Sequence, residues 1–278
     1  MTAAEQTRQR PPARRGMYVL PSLFTAGNIA IGYYIIMQAI RGSGLGDPLN
    51  QVYFDHAAVG IVAAILFDGL DGRIARMTNT ASEFGRELDS LADVITFGVA
   101  PSLLAYLWGV RQIQTGEYPI VHDRLLHFGV VVCFLFLICG ACRLARFNIT
   151  TNPKPRNPGR PDRKYFVGMP IPAGAGVLAA VIHFENGSPV YSQWLAMVWL
   201  ALVAFTGFLM VSNWRFWSGK EIDMGTRQPM RLLVIILVVL AVMYEWHRYA
   251  LMVMGLGYLM SGVLARVAYS WQRRFARA

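Results

Sequence analysis

Acidic residues are scarce in this chain, and their distribution is informative. Of 278 residues only 16 are Asp or Glu, against 26 Lys and Arg; charged residues make up 15% and hydrophobic ones 55%. So apolar a composition excludes an ordinary water-soluble domain. Cysteine is nearly absent as well: three residues, two of which, Cys139 and Cys142, form a lone C-x-x-C inside an apolar run. Without a second pair there is no zinc site of that type, and nothing around it resembles a redox motif, so both read as buried small hydrophobes. The five histidines lack metalloprotease spacing. No internal repeat is evident, and residues 1–16, rich in Arg, Gln and Pro, lack the apolar core and cleavage site of a signal peptide. The net charge of +10 comes with no legible nucleic-acid recognition module, so no nucleic-acid partner is expected. Basic loops between apolar runs suit anionic headgroups and phosphates instead.

What the chain does have is long apolar runs. They fall at roughly 18–40, 56–75, 91–110, 126–147, 167–185, 193–212, 231–249 and 250–269, which predicts eight transmembrane helices. With both termini placed in the cytoplasm, 22 of the 26 Lys and Arg fall inside; only Arg41, Arg111, Arg124 and Arg248 are outside. That asymmetry fits the positive-inside rule and an even number of spans. The expected fold is an all-α integral membrane protein of the cytoplasmic membrane. It divides into a disordered basic arm (1–16), a membrane core (17–220), and two further helices with a basic tail (221–278).

Six of the 16 acidic residues crowd between positions 68 and 93: Asp68, Asp71, Glu83, Glu87, Asp89 and Asp93. Asp68, Asp71, Gly72, Ala75 and Arg76 follow i, i+3, i+4, i+7, i+8, one face of a helix; Gly85, Asp89 and Asp93 follow i, i+4, i+8 on a second. Opposed, the two faces converge four carboxylates beside low walls of glycine and alanine. Carboxylates so close to a bilayer need counter-charge, and oxygen-only ligands suit a hard divalent cation, Mg²⁺ or Mn²⁺. Arg76 is placed to meet a phosphate oxygen. Helix-end charges reaching for water would explain one or two of these aspartates but not the array.

The pattern D-x-x-D-G-x-x-A-R-x8-G-x3-D-x3-D is matched at every fixed position by Asp68, Asp71, Gly72, Ala75, Arg76, Gly85, Asp89 and Asp93. It resembles the signature of the CDP-alcohol phosphotransferases, membrane enzymes of phospholipid synthesis, whose core has six helices. The resemblance implies two divalent ions held by Asp68, Asp71, Asp89 and Asp93, with Asp93 also the general base. It further implies nucleotide contacts at Gly72, Ala75, Arg76 and Gly85.

Other blocks resemble the serine-using branch of that family. The opening P-x-x-x-T-x-x-N places Thr25 and Asn28 at the nucleotide end of the site, although polar side chains there also suit helix–helix hydrogen bonds. The text C-R-L-A-R-F-N holds Arg143 and Arg146, for which helix-end snorkelling and binding of an acceptor carboxylate or lipid phosphate are both open. Arg215 and Lys220 suit lipid phosphate or the membrane surface. F-x-G-M-P-x-P-A at 166–173 is expected to wall the acceptor pocket. The last two helices read as packing, or as a homodimer contact. These resemblances imply transfer of a phosphatidyl group from CDP-diacylglycerol to L-serine among membrane lipids, at the cytoplasmic face. Glycerol 3-phosphate, inositol phosphate and choline are the rival acceptors. An ion or lipid transporter is the rival class, and it would need midplane carboxylates and related halves.

Overall fold

The computed structural model describes residues 19–44, 49–78, 83–114, 119–151, 165–217 and 245–267. The expected arm at 1–16, residues 231–244 of the seventh predicted span, Lys220 and the basic tail lie outside them.

Small residues let the first two helices close on each other. α1 (Val19–Gly42) and α2 (Asn50–Thr78) form an antiparallel pair. At Gly60 a β-carbon would come within 2.8 Å of the Ile35 side chain, so the helices touch nearly backbone to side chain. Asn50 closes the connection, its Nδ2 donating to the Gly44 carbonyl at 2.6 Å.

The third rod is α3 (Glu83–Asp93), a π-helical segment (Val94–Val99) and α4 (Ala100–Gly109), running without a break. Pro101 explains the wide turn in part: it donates no hydrogen bond and its ring crowds the preceding turn. Trp199 Nε1 donates to the Ala105 carbonyl at 2.9 Å, and Ser102 Oγ to that of Cys133 at 2.8 Å, tying this rod to α7 (Gln193–Val211) and α5 (Pro119–Thr151). α5 (Pro119–Thr151) has 33 residues, about 50 Å at 1.5 Å per residue, so it overruns the expected 126–147 at both ends.

α6 (Ile171–Phe184) is the buried centre, with α2, α4, α5 and α7 around it. Its sequence is rich in Gly and Ala, and nine of its residues are buried. Its 14 residues span about 21 Å, less than a bilayer's hydrocarbon core of about 30 Å. The expected full span at 167–185 is thus a shorter helix. The reason is local: Pro170 and Pro172 set its start, and Tyr165–Val167 is a strand, β1. β1 pairs antiparallel with β2 (Arg215–Trp217), matching Tyr165 to Trp217, Phe166 to Phe216 and Val167 to Arg215. This pairing is the one departure from an all-helical fold among the described residues. Gly168 turns the chain from β1 into α6 at φ 79°, where a β-carbon would lie 2.3 Å from the Met210 carbonyl oxygen. At the far end Gly187 (φ 69°) sits against the Gln51 carbonyl, so α6 ends level with the start of α2.

α7 (Gln193–Val211) and α8 (Glu245–Val267) complete the described helices. Six stretches are long and apolar enough to cross a membrane, with Phe84–Gly109 counted as one. The chain is therefore a helical, multi-pass membrane protein. The break expected at 249/250 is absent, because α8 runs straight through it. Cys142 also departs from expectation: it is exposed, Cys139 is half-buried, and all three thiols are free.

Candidate active site

α3 turns its two aspartates inward and leaves Phe84 and Leu91 outward. Phe84 and Leu91 are exposed, while Asp89 and Asp93, one turn apart, face Asp68 on α2. One carboxylate oxygen from each of the three lies within 4.8 Å of the others, and all three residues are half-buried. At an effective dielectric constant near 20, unit charges at that separation repel by about 3.5 kcal/mol per pair. Three such pairs rival the whole stability of a domain, about 5–15 kcal/mol, so the cluster calls for a cation. The donors fit a hard divalent ion, being all oxygen. The Oδ1 of Asp93 is buried and accepts no hydrogen bond among the described residues, an omission a bound cation would repair.

The rest of the expected motif is placed unevenly. Asp71 lies on α2 one turn beyond Asp68, but its side chain, with those of Ala75 and Arg76, is outside the described residues. Gly72 and Gly85 are half-buried, the latter at the start of α3. Thr25 and Asn28 are buried on α1, at 3% and 2% exposure. Thr96 Oγ1, on the π segment, donates to the Asn28 carbonyl at 3.0 Å and so couples α1 to the rod that holds Asp93. The Oδ1 of Asn28 is likewise buried without a partner among the described residues.

The two arginines of α5 have different surroundings. Arg146 is enclosed by acceptors. Its Nη1 donates to Val211 O and Asn213 Oδ1, and its Nη2 to Val167 O, Met210 O and Ser212 O, all between 3.0 and 3.4 Å. It fastens α5 to the β1–β2 pair and the end of α7. Lysine cannot span those acceptors. Arg146→Lys should lower stability by about 2 kcal/mol, seen as a melting temperature in detergent reduced by roughly 5 °C. An unchanged melting temperature would remove this role.

Arg143 is 6% exposed and donates no hydrogen bond among the described residues. Its guanidinium carbon lies 5.2 Å from the Phe147 ring centroid and 5.8 Å from that of Phe166. Its charge is within electrostatic reach of Asp93. A buried cation seated on aromatic faces, with donors to spare beside a carboxylate cluster, is suited to an anion. Arg215 is in β2 opposite Val167, and its side chain lies outside the described residues.

Sequence reasoning passed over Asn148, Ser90 and Thr96. Asn148 Nδ2 donates to Ser90 Oγ at 2.8 Å, bracing α3 between its two aspartates. Ser90 and Asn148 stand inside motif text already singled out, which was the available signal; Thr96 lies three residues past Asp93.

A family model described as CDP-alcohol phosphatidyltransferase matches residues 18–205. A curated protein from Helicobacter pylori named CDP-diacylglycerol–serine O-phosphatidyltransferase is 37% identical over 249 residues, covering 89% of this chain and 91% of its own length. One of the same name from Methanocaldococcus jannaschii is 33% identical over 188 residues, 68% of this chain and 74% of that protein. Another, from Saccharomyces cerevisiae, is 38% identical over 152 residues, 55% of this chain and 49% of that protein.

Proposed function

The chain belongs to the CDP-alcohol phosphatidyltransferase family, and on that footing we propose that it transfers the phosphatidyl group of CDP-diacylglycerol to the hydroxyl of L-serine, releasing CMP. The observation that carries this is the convergence of Asp68, Asp89 and Asp93 near the buried guanidinium of Arg143, which donates no hydrogen bond among the described residues. The names of the relatives agree with it.

Asp68, Asp71, Asp89 and Asp93 would hold divalent cations, two Mg²⁺ or Mn²⁺ ions in this reading, whose charge when bound offsets that of the pyrophosphate and of departing CMP. Asp93 doubles as general base. Its carboxylate takes the proton of the serine hydroxyl as the serine oxygen bonds to the phosphorus that bears diacylglycerol, and the bond from that phosphorus to CMP breaks. This is direct displacement, with no covalent protein intermediate. Arg143 pairs with the serine carboxylate and so orients the attacking hydroxyl. Thr25, Asn28, Gly72, Ala75, Arg76 and Gly85 line the nucleotide, and Arg215 meets lipid phosphate.

The acyl chains lie between helices of the 17–220 core. The distribution of Lys and Arg supports both termini in the cytoplasm and a site at the cytoplasmic face of the cytoplasmic membrane. The deciding experiment is CMP release from CDP-diacylglycerol by purified protein given L-serine, glycerol 3-phosphate, inositol phosphate or choline. Serine alone should support rapid release. Release driven by another alcohol would overturn the acceptor assignment, and release with none of them the reaction itself.

A further inference from the structure

The sequence offers no polar stripe on the last helix, yet α8 meets the core along a defined line. Gly255, Tyr258, Leu259 and Gly262 follow i, i+3, i+4, i+7. Gly255 lies against α6, where a β-carbon would be 3.2 Å from that of Ala180. At Gly262 a β-carbon would come within 2.3 Å of the Phe216 ring, so only glycine lets α8 reach the strand pair. Between the glycines, the Tyr258 ring lies 5.7 Å from Phe216, tilted by 31°. Phe216 is fully buried and pairs across the strands with Phe166, one of the two rings on which Arg143 rests. Tyr258 thus packs on one residue of the strand pair, and that residue's cross-strand partner seats the cation. This line of α8 is turned onto the chain's own site.

We propose that Tyr258 is a positioning residue: from α8, outside the stretch matched by the family model, it fixes the Arg143 guanidinium in the place where the acceptor's carboxylate is bound. This rests on the phosphatidyl-transfer reading above. The ring braces Phe216, which is register-paired with Phe166 across the two strands. Orientation of a cation at a carboxylate site governs acceptor binding more than the chemical step, so the effect falls on the serine KM.

The test compares the unaltered protein with Tyr258→Leu, Tyr258→Phe, Arg143→Lys and the double variant Tyr258→Leu/Arg143→Lys. Tyr249→Leu, a ring deletion at an exposed position on the same helix, is the control. Tyr258→Leu should raise the serine KM by about tenfold, the scale of one lost aromatic pair, with kcat and the CDP-diacylglycerol KM nearly unchanged. Tyr258→Phe keeps the ring and should keep the normal serine KM. The double variant should be no worse than Arg143→Lys alone, because both changes disable one unit. Tyr249→Leu should behave as the unaltered protein. A normal serine KM in Tyr258→Leu, a raised one in Tyr258→Phe, or effects that add fully in the double variant, would overturn the proposal while leaving serine transfer intact. Should the unaltered protein use a different alcohol, the serine reading fails; the same KM comparison is then made with that alcohol, and an unchanged value overturns the positioning role. A protein that uses none of the alcohols overturns both.

Discussion

Asp93→Asn is expected to slow serine-dependent CMP release by about a thousandfold, within the 10²–10⁴ range of a lost general base. Binding of CDP-diacylglycerol should persist. Asparagine keeps the size and one oxygen of the carboxylate but cannot accept the serine proton at neutral pH. The side chain stands where that matters: its Oδ1 is buried and takes no hydrogen bond among the described residues, so the protein has left it available. The alternative is that Asp93 serves only to hold cation. In that case the variant's rate would recover as Mg²⁺ or Mn²⁺ is raised. A single-turnover assay over a range of metal concentrations, with lipid binding measured in parallel, separates the two. A variant that turns over serine at near-normal rate, or is rescued by metal, removes the base assignment.

Metal stripping should be as severe. Three half-buried carboxylates with oxygens within 4.8 Å of one another repel when ionised, and a bound cation relieves that repulsion. Chelation should therefore take CMP release to background, and Mg²⁺ or Mn²⁺ should restore it. Asp89→Asn should raise the metal concentration needed for half-maximal rate by about a hundredfold or more, since loss of a direct ligand exceeds the 10–100-fold typical of a supporting contact. Direct Mn²⁺ binding, followed by electron paramagnetic resonance without substrate, provides a readout independent of turnover. Undiminished Mn²⁺ affinity in Asp89→Asn, or full activity after chelation, would count decisively against the cluster as a metal site.

The carboxylate motif was legible because its spacing is a helical period and its chemistry leaves few alternatives. Asp68, Asp89 and Asp93 meet as the two faces predicted. The long spans were legible for the same reason, since hydrocarbon demands continuous apolar length. The reading failed where burial inside protein replaced burial in lipid. α6 is as apolar as a span but is surrounded by other helices, so its length answers to its neighbours. A hydropathy run cannot distinguish those two surroundings. Nor could it find the boundary of α8, where the apolar signal is continuous across 249 and 250. The two arginines of α5 are one helical turn apart and looked equivalent. What separates them is the set of carbonyls offered by the turn after α7, a tertiary circumstance that no local pattern records. Tyr258 was invisible on the same grounds, because its partner Phe216 becomes a neighbour of Phe166 only through strand pairing.

The shortness of α6 decides where two immiscible reactants can meet. One end of this helix is level with the start of α2, so nearly all of its deficit against a bilayer core, about 9 Å, falls at the carboxylate end. There the strand pair and the Arg143 seat stand in place of another two turns of helix. The interior thus holds a buried cation beside helices that run on past the end of α6. In the proposed reaction, that recess is where a water-borne amino acid meets a lipid still seated in its leaflet.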